Sequence, residues 1–115
     1  MLSHRIESGV LVLSIQDDLG AESQDALAAL ISDLIHVHES VPVVIVLGAA
    51  ATASVIDAVV RAHRMCRSLS VVVSVATPCA SARRRLRAAG TAQGGRMVVH
   101  ARTDIAITTA FSTAA

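Results

Sequence analysis

Only a few residues in this chain have both the chemistry and the surroundings to act. Ser54 is the first. It follows the aliphatic run Val43–Leu47 and a small-residue connection, and it precedes the helix-period pattern beginning Val55-Ile56. A hydroxyl there is suited to cap a helix or to be displayed at its positive end, where negative charge is favoured. Thr52 is the alternative hydroxyl two residues earlier. Cys79 is the second candidate, since it follows an aliphatic strand pattern and the Thr77-Pro78 break. A thiol at a helix start has a lowered pKa and is reactive, which makes Cys79 a redox candidate. Cys66 falls twelve residues past Ser54. That places it ~18 Å along the helix, beyond the ~7 Å Cα separation a disulfide tolerates. No internal bridge is expected.

The remaining polar clusters read more plainly. His36 and His38 are spaced i, i+2 and cannot face one ion from a helix. No carboxylate or cysteine stands beside them at ligand spacing, so neither a metal site nor a cofactor is expected. His63 has no nucleophile spaced to meet it and reads as a half-buried flank residue. Arg83, Arg84, Arg85 and Arg87 read as a solvated outer face near a helix C-terminus. Gly90, Gly94 and Gly95 do not precede a helix as a phosphate loop must. A net charge of +1 and a pI near 7.9 give no reason to expect nucleic acid as a partner.

The elements that must carry these residues follow from hydrophobic periodicity. With 115 residues, residues 1–115 form a single domain. The hydrophobic fraction is 53% but aromatics are 1%, so the core must be aliphatic. The longest apolar run, Val41 to Ala51, is interrupted by Pro42 and Gly48. It falls short of the ~18–20 residues that span a bilayer, and no apolar signal region follows the N-terminus. The expected address is cytoplasmic, away from membranes.

In chain order, a short edge strand pairs across Ser8-Gly9 with the strand Val10–Ile15. A helix from about 21 to 37 carries the stripe Leu27, Leu30, Ile31, Leu34 and Ile35. Pro42 opens a buried strand. The helix capped by Ser54 turns Val55, Ile56, Val59, Val60, His63 and Cys66 inward or to the flank. Its outer side carries Asp57, Arg61, Arg64 and Arg67, with Asp57 and Arg61 an i, i+4 pair. A strand over Val71–Ala76 leads to a short helix, Ser81 to Ala89, stopped by Gly90. A last strand, Arg96 to Ala101, precedes a helix capped by Thr103 whose apolar contacts are Ile105, Ile107 and Phe111. The expected class is α/β: a mostly parallel sheet of four to five strands, an antiparallel strand at its start, and about four helices.

This succession resembles the STAS domain, the family of anti-sigma factor antagonists and related sulphate-transporter modules. The likeness runs from about residue 10 onward. Leu11-Val-Leu-Ser-Ile-Gln-Asp-Asp18 is similar to the family's apolar strand and the acidic turn after it. Pro42 to Leu47 resembles the central strand, and Val59-Val-Arg-Ala-His-Arg64 the second helix with its His-Arg ending. Val71 to Ala76, Pro78, Arg83-Arg-Arg-Leu86 and Arg96-Met-Val-Val-His100 follow in order. The resemblance implies a non-enzymatic regulator of transcription that binds an ATP-dependent anti-sigma serine kinase and so releases a sigma factor. It implies a partner surface of Asp18, Thr52, Ser54, Val55, Asp57, Ala58 and Arg61, with Ser54 matching the phosphoacceptor serine. The family motif Asp-Ser-Ser-Gly-Leu is here Thr52-Ala53-Ser54-Val55-Ile56, and the family's strand Asp is Val46. Ser54 therefore reads either as a phosphorylatable switch or as a plain cap on an unphosphorylated scaffold or homodimer of the same fold. A small α/β enzyme using Ser54 as nucleophile is the third reading, against which stands the lack of a Gly-x-Ser-x-Gly elbow and of a placed base.

Overall fold

The chain begins with a tight hairpin written into two residues. Ser8 and Gly9 both adopt positive φ, 54° and 75°. A two-residue loop of this hand matches the twist of the strands it joins. It joins β1 (Leu2–Glu7) to β2 (Val10–Ile15) in antiparallel register, with Glu7 opposite Val10 and Leu2 opposite Ile15. From there strands alternate with helices. The order continues α1 (Gln24–Val37), β3 (Val43–Leu47), α2 (Ala53–Met65), β4 (Val73–Ala76), α3 (Ala80–Ala92), β5 (Met97–His100) and α4 (Thr103–Ala114). The computed structural model describes residues 2–15, 24–38, 41–48, 53–65, 73–92 and 97–114.

The five strands form one sheet in the order β1-β2-β3-β4-β5, with β2 through β5 mutually parallel. This is the α/β architecture expected from the alternating pattern. Side chains alternate between two apolar layers. Leu11, Leu13, Ile15, Val43, Ile45, Leu47, Val73, Val75 and Val99 face one side, where they meet Ile31 and Ile35 of α1, Val55, Ile56 and Val59 of α2, and Ala82 and Leu86 of α3. Val10, Val12, Val44 and Ala76 face the other side and pack on Ala106, Ile107 and Ala110 of α4. Both faces are covered, which explains why β2 and β3 read as near-continuous aliphatic runs instead of alternating ones. The outer strand β1 is exposed, and its Arg5 Nε donates to Glu7 Oε1 at 3.2 Å. Charge on an edge strand discourages unwanted pairing.

Several local expectations are corrected. Helix α3 does not stop before Gly90 but runs through it to Ala92. A single internal glycine costs only ~1 kcal/mol against alanine, too little to end a helix whose Ala82 and Leu86 are anchored in the core. The arginines of α3 therefore occupy its first two turns and not its C-terminus. Leu30 lies outside the α1 stripe at 46% exposure, and Ala28 takes the inward place. In α4, Ile105 is 49% exposed while Ala106, Ile107 and Ala110 make the contact. Thr103 is the first helical residue of α4 and not its cap, because the Ala106 amide bonds the Arg102 carbonyl. The side chain of Phe111 lies outside the described residues.

Candidate functional site at the carboxyl edge of the sheet

Parallel strands deliver their carboxyl ends to one edge. Ile15 pairs with Leu47, Val46 with Ala76, and Ala76 with His100, so β2 to β5 end together. The helices that follow begin there with their N-termini at that edge. Ser54 is the second residue of α2, inside the first turn and half-buried. It is not the N-cap, because the helix already includes Ala53. No acidic residue occupies this first turn. The hydroxyl sits where backbone N–H groups lack intrahelical acceptors and negative charge is stabilised.

Neighbouring positions on α2 divide by burial. Asp57 and Arg61 are exposed, as expected of a contact surface. Val55 and Ala58 are not available to a partner: they are 3% and 0% exposed and belong to the core layer beneath the helix. Residues three apart share a helix face, and this face is the one turned to the sheet. His63, expected at half-burial, is buried. Arg61 also departs from expectation, since its guanidinium pairs with the Asp25 carboxylate of α1 and not with Asp57. The pair ties the first turn of α1 to the middle of α2. Thr52, Asp18 and Cys66 lie outside the described residues.

A second cluster surrounds the end of β4. Thr77 is 1% exposed, and its atoms join three strands. Its amide donates to the His100 carbonyl at 3.0 Å, and its hydroxyl donates to the Gly48 carbonyl at 3.3 Å while accepting from the Cys79 amide at 3.2 Å. Arg83 Nη1 donates to the Thr77 carbonyl at 2.9 Å, and Arg87 Nη2 donates to the Val99 carbonyl at 3.3 Å. Two arginines of α3 thus stitch the helix to the ends of β4 and β5. Sequence reading treated Thr77 only as part of a breaker. A hydroxyl that bonds across 29 residues leaves no periodic trace, although a Thr between an apolar run and Pro was the available signal.

Cys79 caps α3. Its carbonyl accepts the Arg83 amide at 3.1 Å, the first bond of the helix, and its Sγ lies 3.2 Å from Ser81 Oγ. The thiol is partly exposed. Its pKa is lowered chiefly by the Ser81 hydroxyl, then by the Ala82 amide, with the Ser81 amide and the Arg83 charge adding to the effect and partial desolvation opposing it. The geometry favours the thiolate form, the nucleophilic one. At the far end of α1, His36 Nδ1 lies 2.7 Å from the Ser32 carbonyl, a bond within the helix. Among the described residues no group of three His, Cys, Asp or Glu side chains is placed to hold a metal ion.

Comparisons of the chain with protein-family models, with curated proteins and with solved structures find no match. Among the described residues no helix is long and apolar enough to cross a membrane.

Proposed function

We propose that this chain is a regulatory binding module, an anti-sigma factor antagonist that occupies an ATP-binding anti-sigma kinase and thereby releases a sigma factor. The carrying observation is the first half of α2 at the carboxyl edge. Ser54 is presented in its first turn and Asp57 and Arg61 are exposed beside it, while Val55 and Ala58 are clamped in the core. The buried pair fixes the helix, and the half-buried Ser54 hydroxyl lies beside the exposed Asp57 carboxylate and the Arg61 guanidinium that α1 holds through Asp25. Thr52 and Asp18, both implied by the family resemblance, complete the proposed surface.

Phosphorylation of Ser54 would act through this surface. A phosphate carries about −1.5 to −2 charges at pH 7. At a helix N-terminus it does not disturb the fold, because free amides and the dipole accommodate it. An interface packed around a neutral hydroxyl must instead bury a dianion, and binding is lost. The switch predicts no chemistry by this chain itself.

The test is incubation with a purified anti-sigma kinase of this type and ATP, followed by intact mass measurement and a binding assay. A gain of one phosphate on Ser54, with weakened binding, supports the switch. Binding without phosphate on Ser54 or Thr52 leaves the unphosphorylated scaffold, a reading favoured by the changed Thr52-Ala53-Ser54-Val55 motif. Failure of kinase binding by the wild-type chain removes the proposal.

A further inference from the structure

The sheet has two edges, and only one of them is closed. At β5 the Thr77 amide takes the His100 carbonyl, so by alternation the Val99 carbonyl points outward. Arg87 Nη2 holds it there at 3.3 Å. At β1 the direction of the main chain also follows from one bond. The Leu11 amide donates to the Pro42 carbonyl, on the β3 side, and the β1 partner of Leu11 is Ile6. Ile6 therefore turns its own amide and carbonyl away from β2, and alternation gives His4 and Leu2 the same direction. Among the described residues no bond reaches these outward groups of His4 and Ile6.

An apolar strip runs beside this open edge. Ile6 is 53% exposed and shares the sheet face of Leu11, the face that α1, α2 and α3 cover. On α1, Asp25 marks the side turned to α2 through its pair with Arg61. At about 100° per residue, Leu30, Leu34 and Val37 come roughly 140°, 180° and 120° round from Asp25. They occupy the flank turned away from α2, at the β1 end of the layer. Leu30 is exposed, Leu34 half-buried and Val37 75% exposed. No charged residue stands among these four. The charges of the edge strand, Arg5 and Glu7, lie on the opposite face with Val12 and Val10 and hold each other at 3.2 Å.

We propose that two copies of this chain join edge to edge through β1, antiparallel about a two-fold axis, so that two five-stranded sheets become one. A two-fold contact sets each residue against itself or its mate. A strip without charge, beside an edge whose two charges already balance, is suited to meeting its own copy. An axis normal to the sheet keeps each face on its own side, so the two α1 flanks border one trough floored by the paired β1 strands. The outward groups choose the register. With Ile6 on the axis only Ile6 is paired, because Ser8 belongs to the turn. With Arg5 on the axis two guanidiniums stand directly opposite, which is unfavourable. With His4 on the axis, His4 meets itself and Ile6 meets Leu2, and all the outward residues of both copies are bonded. An extended segment of another protein is the less suited occupant. It brings a strand alone and leaves Leu30 and Val37 bare, whereas a second copy brings its own α1. The contact does not involve the first turn of α2 and is independent of any switch at Ser54.

The test uses the full chain. In sedimentation velocity over a wide range of concentration, the wild type should rise to twice its 11.9 kDa mass and stop there, because a two-fold contact closes. His4→Pro removes only an outward amide, a change tolerated on an edge strand. It should keep the wild-type circular dichroism and stay monomeric. In a Cys66→Ser/Cys79→Ser background, His4→Cys, Arg5→Cys and Ile6→Cys each put one thiol on β1. Residues opposite in a bonded pair have Cα atoms ~5.5 Å apart, within the ~7 Å a disulfide tolerates. Mild oxidation should therefore link His4→Cys into a covalent dimer and leave the other two as monomers, a readout that stands even if His4→Pro does not fold. A wild type that is monomeric at every concentration overturns the proposal and leaves the edge to a foreign strand. A folded His4→Pro that still dimerises overturns it as well, as does linking of Arg5→Cys or Ile6→Cys in place of His4→Cys.

Discussion

Replacing Thr77 by valine isolates one side-chain function at the carboxyl edge. The substitution keeps the branched shape and removes the hydroxyl that donates to the Gly48 carbonyl and accepts from the Cys79 amide. The bonds of the Thr77 amide to His100 and of Arg83 to the Thr77 carbonyl use backbone atoms of residue 77 and survive. Leaving a fully buried partner unsatisfied costs about 1–3 kcal/mol, whereas here Gly48 is exposed and Cys79 half-buried. The two affected bonds are long, at 3.3 and 3.2 Å, which argues for the lower half of that range, about 1.5 kcal/mol. At ~2.1 cal/mol/K per residue the unfolding entropy of this chain is roughly 0.24 kcal/mol/K, so the Tm should fall by about 6 °C. Calorimetry of the two proteins at one pH measures it. Amide exchange at Cys79 should also accelerate, because its acceptor is gone. A Thr77→Val melting point within about 2 °C of the wild type, near 0.5 kcal/mol, would show that the hydroxyl does not latch β3 to the start of α3.

Other substitutions probe the remaining features. Gly90→Ala should raise stability by about 0.4–1 kcal/mol, because the position is helical and alanine lowers the entropy of the unfolded chain; a loss of stability on chemical denaturation would restore Gly90 as a left-handed stop. In a Cys66→Ser background, the pH profile of Cys79 alkylation should have its midpoint below that of an unperturbed thiol. Ser81→Ala should move it upward, since the Ser81 hydroxyl is the leading cause of the lowered pKa. A thiol depressed in the folded state contributes stability above its unfolded pKa, and this is lost as pH falls through the folded value. A double-mutant cycle on Asp25 and Arg61 should return a coupling of only 0.2–1 kcal/mol, decreasing with salt, because both side chains are well exposed. The same cycle on Asp57 and Arg61 should give less.

Much of the architecture was legible because it rests on local periodicity. The hairpin at Ser8-Gly9, the aliphatic runs of β2 and β3 and the turn chemistry around Pro42 and Pro78 each identify an element without knowledge of its neighbours. What could not be read was which polar group meets which. An i, i+4 spacing made Asp57 the natural partner of Arg61, yet the fold brings Asp25 of α1 closer. Val55 and Ala58 were assigned to a partner surface by likeness of position, whereas the turn of α2 sends both to the sheet. The same limit hid the Thr77 latch and the roles of Arg83 and Arg87, which bond backbone carbonyls in other strands or loops.

The strand order bears on which kind of function the carboxyl edge can support. Open α/β sheets bind small ligands in the crevice formed where the strand order reverses and successive helices diverge to opposite faces. Here β2, β3, β4 and β5 follow one another in one direction, and α1, α2 and α3 all pack on the same face. The strand order contains no reversal, and only α4, after the last strand, passes to the opposite face. Thr77 further draws the ends of β3, β4 and β5 together with main-chain bonds and its own hydroxyl. What that edge presents is a rim of helix starts, with Ser54 in the first turn of α2 and Cys79 at the start of α3, and with Asp57 and Arg61 further along α2. A rim of this kind suits recognition by another surface, in which one added phosphate or one modified thiol alters what can dock. The binding reading of Ser54 rests on that geometry as much as on family resemblance.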